Sequence, residues 1–126
     1  MVETSLFPGT FMDPEKLTVR QPLPGITMRI GWGRKMMLSQ VTIEPGSEIP
    51  EHDHPHEQAG VCLSGRFELR IGATTRTLEA GDMYLIPGGT PHAVRGLDVT
   101  AVAVDYFSPI REDYLPEDLV RELRKG

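Results

Sequence analysis

Glycine and proline interrupt this chain so often that long helices have little room to form. The 13 glycines and 11 prolines are spread between short stretches and do not collect in one low-complexity tract. Proline removes a backbone donor, and glycine tolerates the backbone angles of tight turns. Their recurrence therefore predicts an all-β chain of short strands and many turns. A length of 126 residues fits one domain.

The alternation of apolar and polar residues agrees. Strands are expected over 26–30, 36–44, 58–63, 66–71, 74–78, 83–86, 92–94 and 99–107. In the second, Met37, Ser39, Val41 and Ile43 alternate with Met36, Leu38, Gln40 and Thr42. In the fourth, apolar Phe67, Leu69 and Ile71 alternate with Arg66, Glu68 and Arg70, so the charged half faces water. Strands at this spacing suggest a β-sandwich or barrel. Pro8-Gly9, Pro14, Pro22 and Pro24 block regular helix or a central strand, so 1–24 reads as an extended arm, followed by a barrel over 25–107. The tail, 108–126, ends in a short helix. Pro116 suits a first helical position, Glu117 and Asp118 its N-terminal end, and Arg121, Arg124 and Lys125 the other end. Leu119 and Leu123 place an apolar pair on one face of it.

Thirteen Lys and Arg against 18 Asp and Glu give a net charge of −5. An acidic chain without basic clusters argues against a nucleic-acid partner. No apolar run approaches the ~18 residues of a membrane span, and Met1 to Met12 has no basic residue ahead of an apolar stretch. A single cysteine, Cys62, forms no internal disulfide, so a reducing compartment, the cytoplasm, is expected.

The histidines carry the chemistry. Three fall within five positions, His52, His54 and His56, and the fourth is His92. On a strand, residues two apart lie ~6.6–6.8 Å along one face, so His52 and His54 can share one metal ion. Pro55 then bends the chain, and Gln58 opens the next strand, where its amide oxygen is a candidate third ligand. His92, just after the turn at Pro87-Gly88-Gly89-Thr90-Pro91, is a candidate fourth. Imidazole suits Zn, Cu, Fe and Ni. Three neutral imidazoles and a neutral amide leave a divalent ion its full charge, which favours an anionic substrate. Gln58 has an alternative role as an amide that hydrogen-bonds a ligand from outside. His56 lies in the bend, facing solvent or the rim of a pocket. Cys62 shares parity with Gln58 and is either cavity-facing or a small core residue.

The spacing forms two blocks. Gly46, five residues, His52-x-His54, three residues, Gln58, six residues and Gly65 make the first. Gly81, five residues, Pro87-x-Gly89, two residues and His92 make the second. This pair resembles the two cupin motifs, densely over 46–96 and by strand pattern over most of 26–107. The resemblance implies a jelly-roll-like β-sandwich or barrel with a central metal cage. Gln58 departs from the glutamate commonest in cupins, and Gly96 from an asparagine.

Glu51-His52-Asp53-His54-Pro55-His56-Glu57-Gln58 is similar to the segment that marks the KdgF family, small cupins of uronate catabolism. Asp105-Tyr106-Phe107-Ser108-Pro109-Ile110-Arg111-Glu112-Asp113-Tyr114 resembles that family's C-terminal run. The resemblance implies active-site roles for Asp105, Phe107 and Arg111 and metal ligation by His52, His54, Gln58 and His92. The metal would be one divalent transition ion: Ni, Zn, Fe, Mn or Cu. It further implies conversion of 4,5-unsaturated monouronates, from pectin or alginate, to linear 5-keto-4-deoxyuronate. The residue types are consistent with those roles. Asp105 and Phe107 share one face of the last strand with Val99, Ala101 and Ala103, whose small size leaves room for a cavity. Arginine suits bidentate capture of a carboxylate, and an aspartate with a raised pKa is a candidate acid/base. The plain alternatives are a surface ion pair for Arg111 and core packing for Phe107.

Two other functions use the same motifs: an Fe- or Cu-dependent dioxygenase, and a non-catalytic cupin that binds a small ligand or sugar. A small anionic sugar and a second copy of the chain, in a homodimer, are the expected partners.

Overall fold

Met37–Ile43 is buried and half-buried by turns from end to end, as its sequence alternation requires. It lies inside the larger of two antiparallel sheets of the computed structural model, which describes the backbone of residues 9–125 and the side chains of 9–121. In chain order the strands are β1 (Thr18–Leu23), β2 (Ile26–Trp32), β3 (Met37–Ile43), β4 (Glu48–His52), β5 (Glu57–Ser64), β6 (Arg66–Ile71), β7 (Thr74–Glu79), β8 (Met83–Ile86), β9 (His92–Gly96) and β10 (Ala101–Ser108). The six-stranded sheet runs β1-β2-β3-β10-β5-β8 and the four-stranded sheet β4-β9-β6-β7. The last strand thus threads between β3 and β5 and brings the C-terminal residues into the middle of the large sheet. Two sheets of this kind, facing one another over a shared core, are the jelly-roll-like sandwich expected from the sequence.

Inward residues of both sheets make the core, with Ile26, Ile30, Met37, Val41 and Ile43 on one side and Phe67, Leu69 and Leu78 on the other. Cys62 is fully buried among them, so it is the small core residue and not a cavity-facing thiol. The pair Met36 and Met37 splits as its parity demands: Met37 is buried and Met36 is exposed. The β5–β6 turn needs glycine at 65. Its φ is +70°, and a Cβ there would sit 2.1 Å from the Thr100 carbonyl oxygen.

Four expectations change. The arm is shorter than 1–24, because Thr18–Leu23 is a strand, preceded by a 3₁₀ turn at Pro14–Lys16; residues 1–8 lie outside the described residues. Glu48–His52, not read as a strand from its sequence, is one and contains Pro50. Both of these proline-bearing strands occupy sheet edges, where a missing N–H costs no ladder bond. The β1–β2 register shifts between Arg20 and Leu23, the stretch that holds Pro22. The metal-motif histidines do not share a strand, since β4 ends at His52 and His54 follows it. Finally, β10 starts at Ala101, which leaves Val99 exposed outside the strand.

At the C-terminus a second 3₁₀ turn, Glu112–Tyr114, precedes helix α1 (Glu117–Lys125). Pro116 sits just ahead of the helix, and its carbonyl accepts the Val120 N–H at 3.0 Å. Leu119 packs against the core, whereas the Leu123 side chain lies outside the described residues. Among the described residues no helix is long and apolar enough to cross a membrane.

Candidate metal centre and active site

The two motif blocks meet where the small sheet's β4 and β9 pair. His52 closes β4 and His92 opens β9, and the two are register partners with ring centroids 4.2 Å apart. His54 reaches the same place from the turn beyond β4. Its carbonyl accepts the Gly89 N–H at 2.8 Å, and Gly88 lies so close to Pro55 that a Cβ would be 2.2 Å from the Pro55 carbonyl oxygen. The Pro87-Gly88-Gly89 turn is therefore what clamps the two blocks together. One ring nitrogen from each of His52, His54 and His92 lies within 4.8 Å of the others. Gln58, second in β5, comes from the opposite sheet, with its Oε1 3.0 Å from His54 Nε2.

The tautomers follow from the partners. His52 Nδ1 meets the Pro50 carbonyl at 2.9 Å, His54 Nδ1 the His56 carbonyl at 3.0 Å, and His92 Nδ1 the Thr90 carbonyl at 2.8 Å. A carbonyl only accepts, so His52 and His92 carry the proton on Nδ1 and present a lone pair at Nε2, whereas His54 faces an acceptor oxygen at each nitrogen, the His56 carbonyl at Nδ1 and the Gln58 Oε1 at Nε2. His92 is 2% exposed, and its Nε2 has no hydrogen-bond partner among the described residues. A neutral His54 has one proton for the two oxygens it faces, so one of its nitrogens is left as a lone pair facing an acceptor. Buried lone pairs without donors are costly, and a cation placed among them would satisfy all of them at once. Burial, aided by the Arg111 charge, lowers the His54 pKa to about 4, and burial also lowers that of His92. Both imidazoles are thus held in the neutral form that binds metal. The three histidines could hold a divalent transition ion, and the Gln58 oxygen is placed to join them.

Asp105 lies beside this cluster on β10 and lines the same chamber with His52, Gln58, His92 and Phe107. Its carboxylate accepts a hydrogen bond from the Tyr84 hydroxyl. Burial raises its pKa to about 6, while that bond, the Gln58 amide and the Arg111 charge pull the other way. Burial also raises the Tyr84 phenol, so it stays a donor. The chamber has a volume of ≈ 40 Å³. An ordered water needs roughly 10–15 Å³ of such space, so there is room for an ion and a few waters.

The Glu112–Tyr114 turn folds the chain back over Arg111. Its guanidinium makes two bonds to Asp113, Nε to Oδ1 at 3.2 Å and Nη2 to Oδ2 at 2.7 Å, and Nη1 donates to the Tyr114 hydroxyl at 2.8 Å. The guanidinium carbon sits 3.9 Å from the Tyr114 ring centroid and 5.1 Å from that of Phe107. Arg111 is only 7% exposed, so it is a buried, stacked cation, ion-paired to the exposed carboxylate of Asp113. The Phe107 ring also meets the His54 ring, at 5.7 Å. Burial disfavours ionisation of Asp113, but Arg111 outweighs it and holds that carboxyl below its ordinary value.

The structure thus gathers His52, His54, Gln58, His92, Asp105, Phe107 and Arg111 in one region. His56 sits half-buried at the bend, its ring 5.6 Å from that of His54. Tyr84, Asp113 and Tyr114 were not singled out from the sequence. For Tyr84 the sequence holds only its parity with Ile86, and the structure shows which face is inward: Ile86 is buried, while the equally apolar Met83 and Leu85 are 79% and 58% exposed.

A family model described as "Cupin domain" matches residues 39–105. The pectin degradation protein KdgF of Dickeya dadantii is 33% identical over 87 residues, 68% of this chain and 79% of that protein. The structure of KdgF from Halomonas sp. superposes with a TM-score of 0.79 at 29% identity, covering 85% of this chain and 99% of that one. An RmlC-like cupin from Shewanella frigidimarina matches in fold, with a TM-score of 0.77 at 24% identity over 83% and 95% of the two chains. With its strand order, its paired motif blocks and these relatives in agreement, the chain belongs to the cupin family as a relative of KdgF.

Proposed function

We propose that this chain converts 4,5-unsaturated monouronates to linear 5-keto-4-deoxyuronate in pectin or alginate catabolism, with a divalent transition ion held by His52, His54, Gln58 and His92. One observation carries the reading: a cluster of neutral metal donors is bordered by a protonatable carboxylate, Asp105, and by a buried guanidinium, Arg111. Relationship to a pectin degradation protein supports the substrate class.

Substrate and product are isomers, so the net chemistry opens the ring and moves a proton to C4. A bound ion supplies Lewis-acid polarisation of substrate oxygens. Asp105, with a pKa raised to about 6, is suited to exchange that proton near neutral pH. Asp113 and Tyr114 take three of the five guanidinium N–H groups of Arg111 and set its plane, leaving the others for the substrate carboxylate. Phe107 provides an apolar wall for the sugar ring. Because the chamber is only ≈ 40 Å³, the sugar lies at its mouth with the reacting end directed inward.

The direct assay prepares an unsaturated monouronate with a uronate lyase and follows the loss of its ultraviolet absorbance against the spontaneous rate. Acceleration that a chelator abolishes, and that persists without oxygen, is expected. No acceleration with either pectin- or alginate-derived substrate would refute the reading, and dependence on oxygen would favour the dioxygenase. Arg111→Lys keeps the charge and loses the planar fork, so KM is expected to rise ~10–100-fold, the worth of one charge-assisted hydrogen bond. An unchanged KM would remove Arg111 from substrate binding.

The same reading makes the chain a cytoplasmic homodimer without nucleic-acid or membrane partners. Light scattering that gives the mass of a single chain at working concentration would refute the dimer.

A further inference from the structure

We propose that Tyr84 is a positioning residue that, acting through Asp105, sets which end of the Gln58 amide faces the metal site. The inference rests on the metal-binding part of the function proposed above.

Tyr84, Gly60 and Asp105 form one row across three neighbouring strands, because Gly60 pairs with Tyr84 on one side and with Asp105 on the other. Strands in a sheet are ~4.8 Å apart, so the outer two backbones of this row are separated by about twice that. A tyrosine side chain spans such a gap only if the middle residue has none. At Gly60 a Cβ would come within 2.3 Å of the Tyr84 ring. Glycine inside a strand weakens it, and here that cost leaves the space through which the phenol reaches Asp105. The Tyr84 ring also packs edge-on against Phe67, at 6.4 Å, which holds it in that direction.

The hydroxyl at the end of this reach donates to Asp105, and Gln58, which lines the same chamber and whose amide lowers the Asp105 pKa, is the other polar side chain that bears on that carboxylate. The side of the amide that faces Asp105 decides its orientation. A glutamine side chain can turn by half a revolution and exchange its oxygen for its NH₂ with little change in shape. With NH₂ toward Asp105, Oε1 points at the cluster, 3.0 Å from His54 Nε2. Turned over, the amide would aim N–H bonds at the ion site and oxygen at a carboxylate. Tyr84 anchors the carboxylate that prevents this. The row also puts an anion beside an otherwise neutral donor set, where a glutamate ligand would have put it on the ion itself.

The test is a metal titration that involves no substrate. Nickel and zinc affinities are measured by competition with a chromophoric chelator for the wild type, Tyr84→Phe, Asp105→Asn and the double variant. Tyr84→Phe removes one oxygen and keeps the ring in its space. Its metal affinity is expected to fall by about tenfold or more, within the ~10–100-fold typical of groups that orient metal ligands. Because Tyr84 acts through Asp105, the double variant should bind no more weakly than Asp105→Asn alone. Wild-type affinity in Tyr84→Phe, even with a lowered melting temperature, would overturn the inference and leave Tyr84 a packing residue. Fully additive losses in the double variant would overturn it too, since Tyr84 would then act independently of Asp105. Either result leaves the proposed function standing. A wild-type chain that binds neither ion would overturn both.

Discussion

Replacement of His92 by alanine is expected to abolish metal binding and, with it, turnover. His92 is a ligand candidate whose Nε2 is buried and lacks a hydrogen-bond partner among the described residues. Its Nδ1 is committed to the Thr90 carbonyl, so the ring cannot turn to present the other nitrogen without breaking that bond. Losing a direct ligand should cost more than the ~10–100-fold lost when an outer partner is removed. The stability of the chain gives a second readout. An ion that binds only the folded state stabilises it by about 2.7 kcal/mol at one hundred times its dissociation constant, so nickel should raise the melting temperature of the wild type. In His92→Ala that rise should vanish. The metal-free melting temperature should change less than for an ordinary buried truncation, since the variant also removes an unsatisfied buried nitrogen. Metal content after dialysis and melting curves with and without nickel check this. Retention of one ion per chain in His92→Ala would remove it from the ligand set.

Asp105→Asn is expected to lower kcat by roughly 10²–10⁴, the usual contribution of a positioned acid/base group. The substitution keeps the shape and removes the exchangeable proton. Burial has raised this carboxyl to about 6, against the pull of Tyr84, Gln58 and Arg111, and an amide has no equivalent proton to give. Asparagine can also donate to the Gln58 oxygen, which the carboxylate cannot, so metal binding should weaken as well. Turnover must therefore be measured at saturating metal, where any remaining loss belongs to proton transfer. Full activity of Asp105→Asn under those conditions would eliminate Asp105 as the acid/base.

How much of this was legible in the chain depends on how local each feature is. The burial alternation along Met37–Ile43 and the inward set Phe67, Leu69 and Ile71 follow from a period of two, which needs no knowledge of neighbours. The histidine cluster was legible from the motif spacing and because the Pro87-Gly88-Gly89 turn marks where His92 returns, although the shared strand face expected for His52 and His54 is absent, since β4 ends at His52. Edge position was not legible. Pro22 and Pro50 argue against a central strand, but whether a strand is central is decided by what pairs beside it, and both strands turned out to be edges. Tyr84 was missed because its role depends on Gly60 and Asp105 lying beside it in register on two other strands. Tyr114 and Asp113 sit in the C-terminal run, yet their contact with Arg111 depends on the 3₁₀ turn that folds them back onto it.

The sequence by itself determined the local terms: strand faces, turn positions, and a neutral donor set of three imidazoles and one amide near one another in two blocks. Local sterics and side-chain parity set these, and both act over a few residues. The tertiary structure decided which strands are neighbours, and therefore everything that crosses from one strand to another. It set His92 opposite His52 and ended β4 before His54. It placed a glycine between Tyr84 and Asp105. It also buried Arg111 against two aromatic rings, where the residue taken singly in the sequence reads as a surface ion pair. These arrangements depend on strand pairings separated by tens of residues, and pairing minimises the free energy of the whole sandwich, not of any one segment.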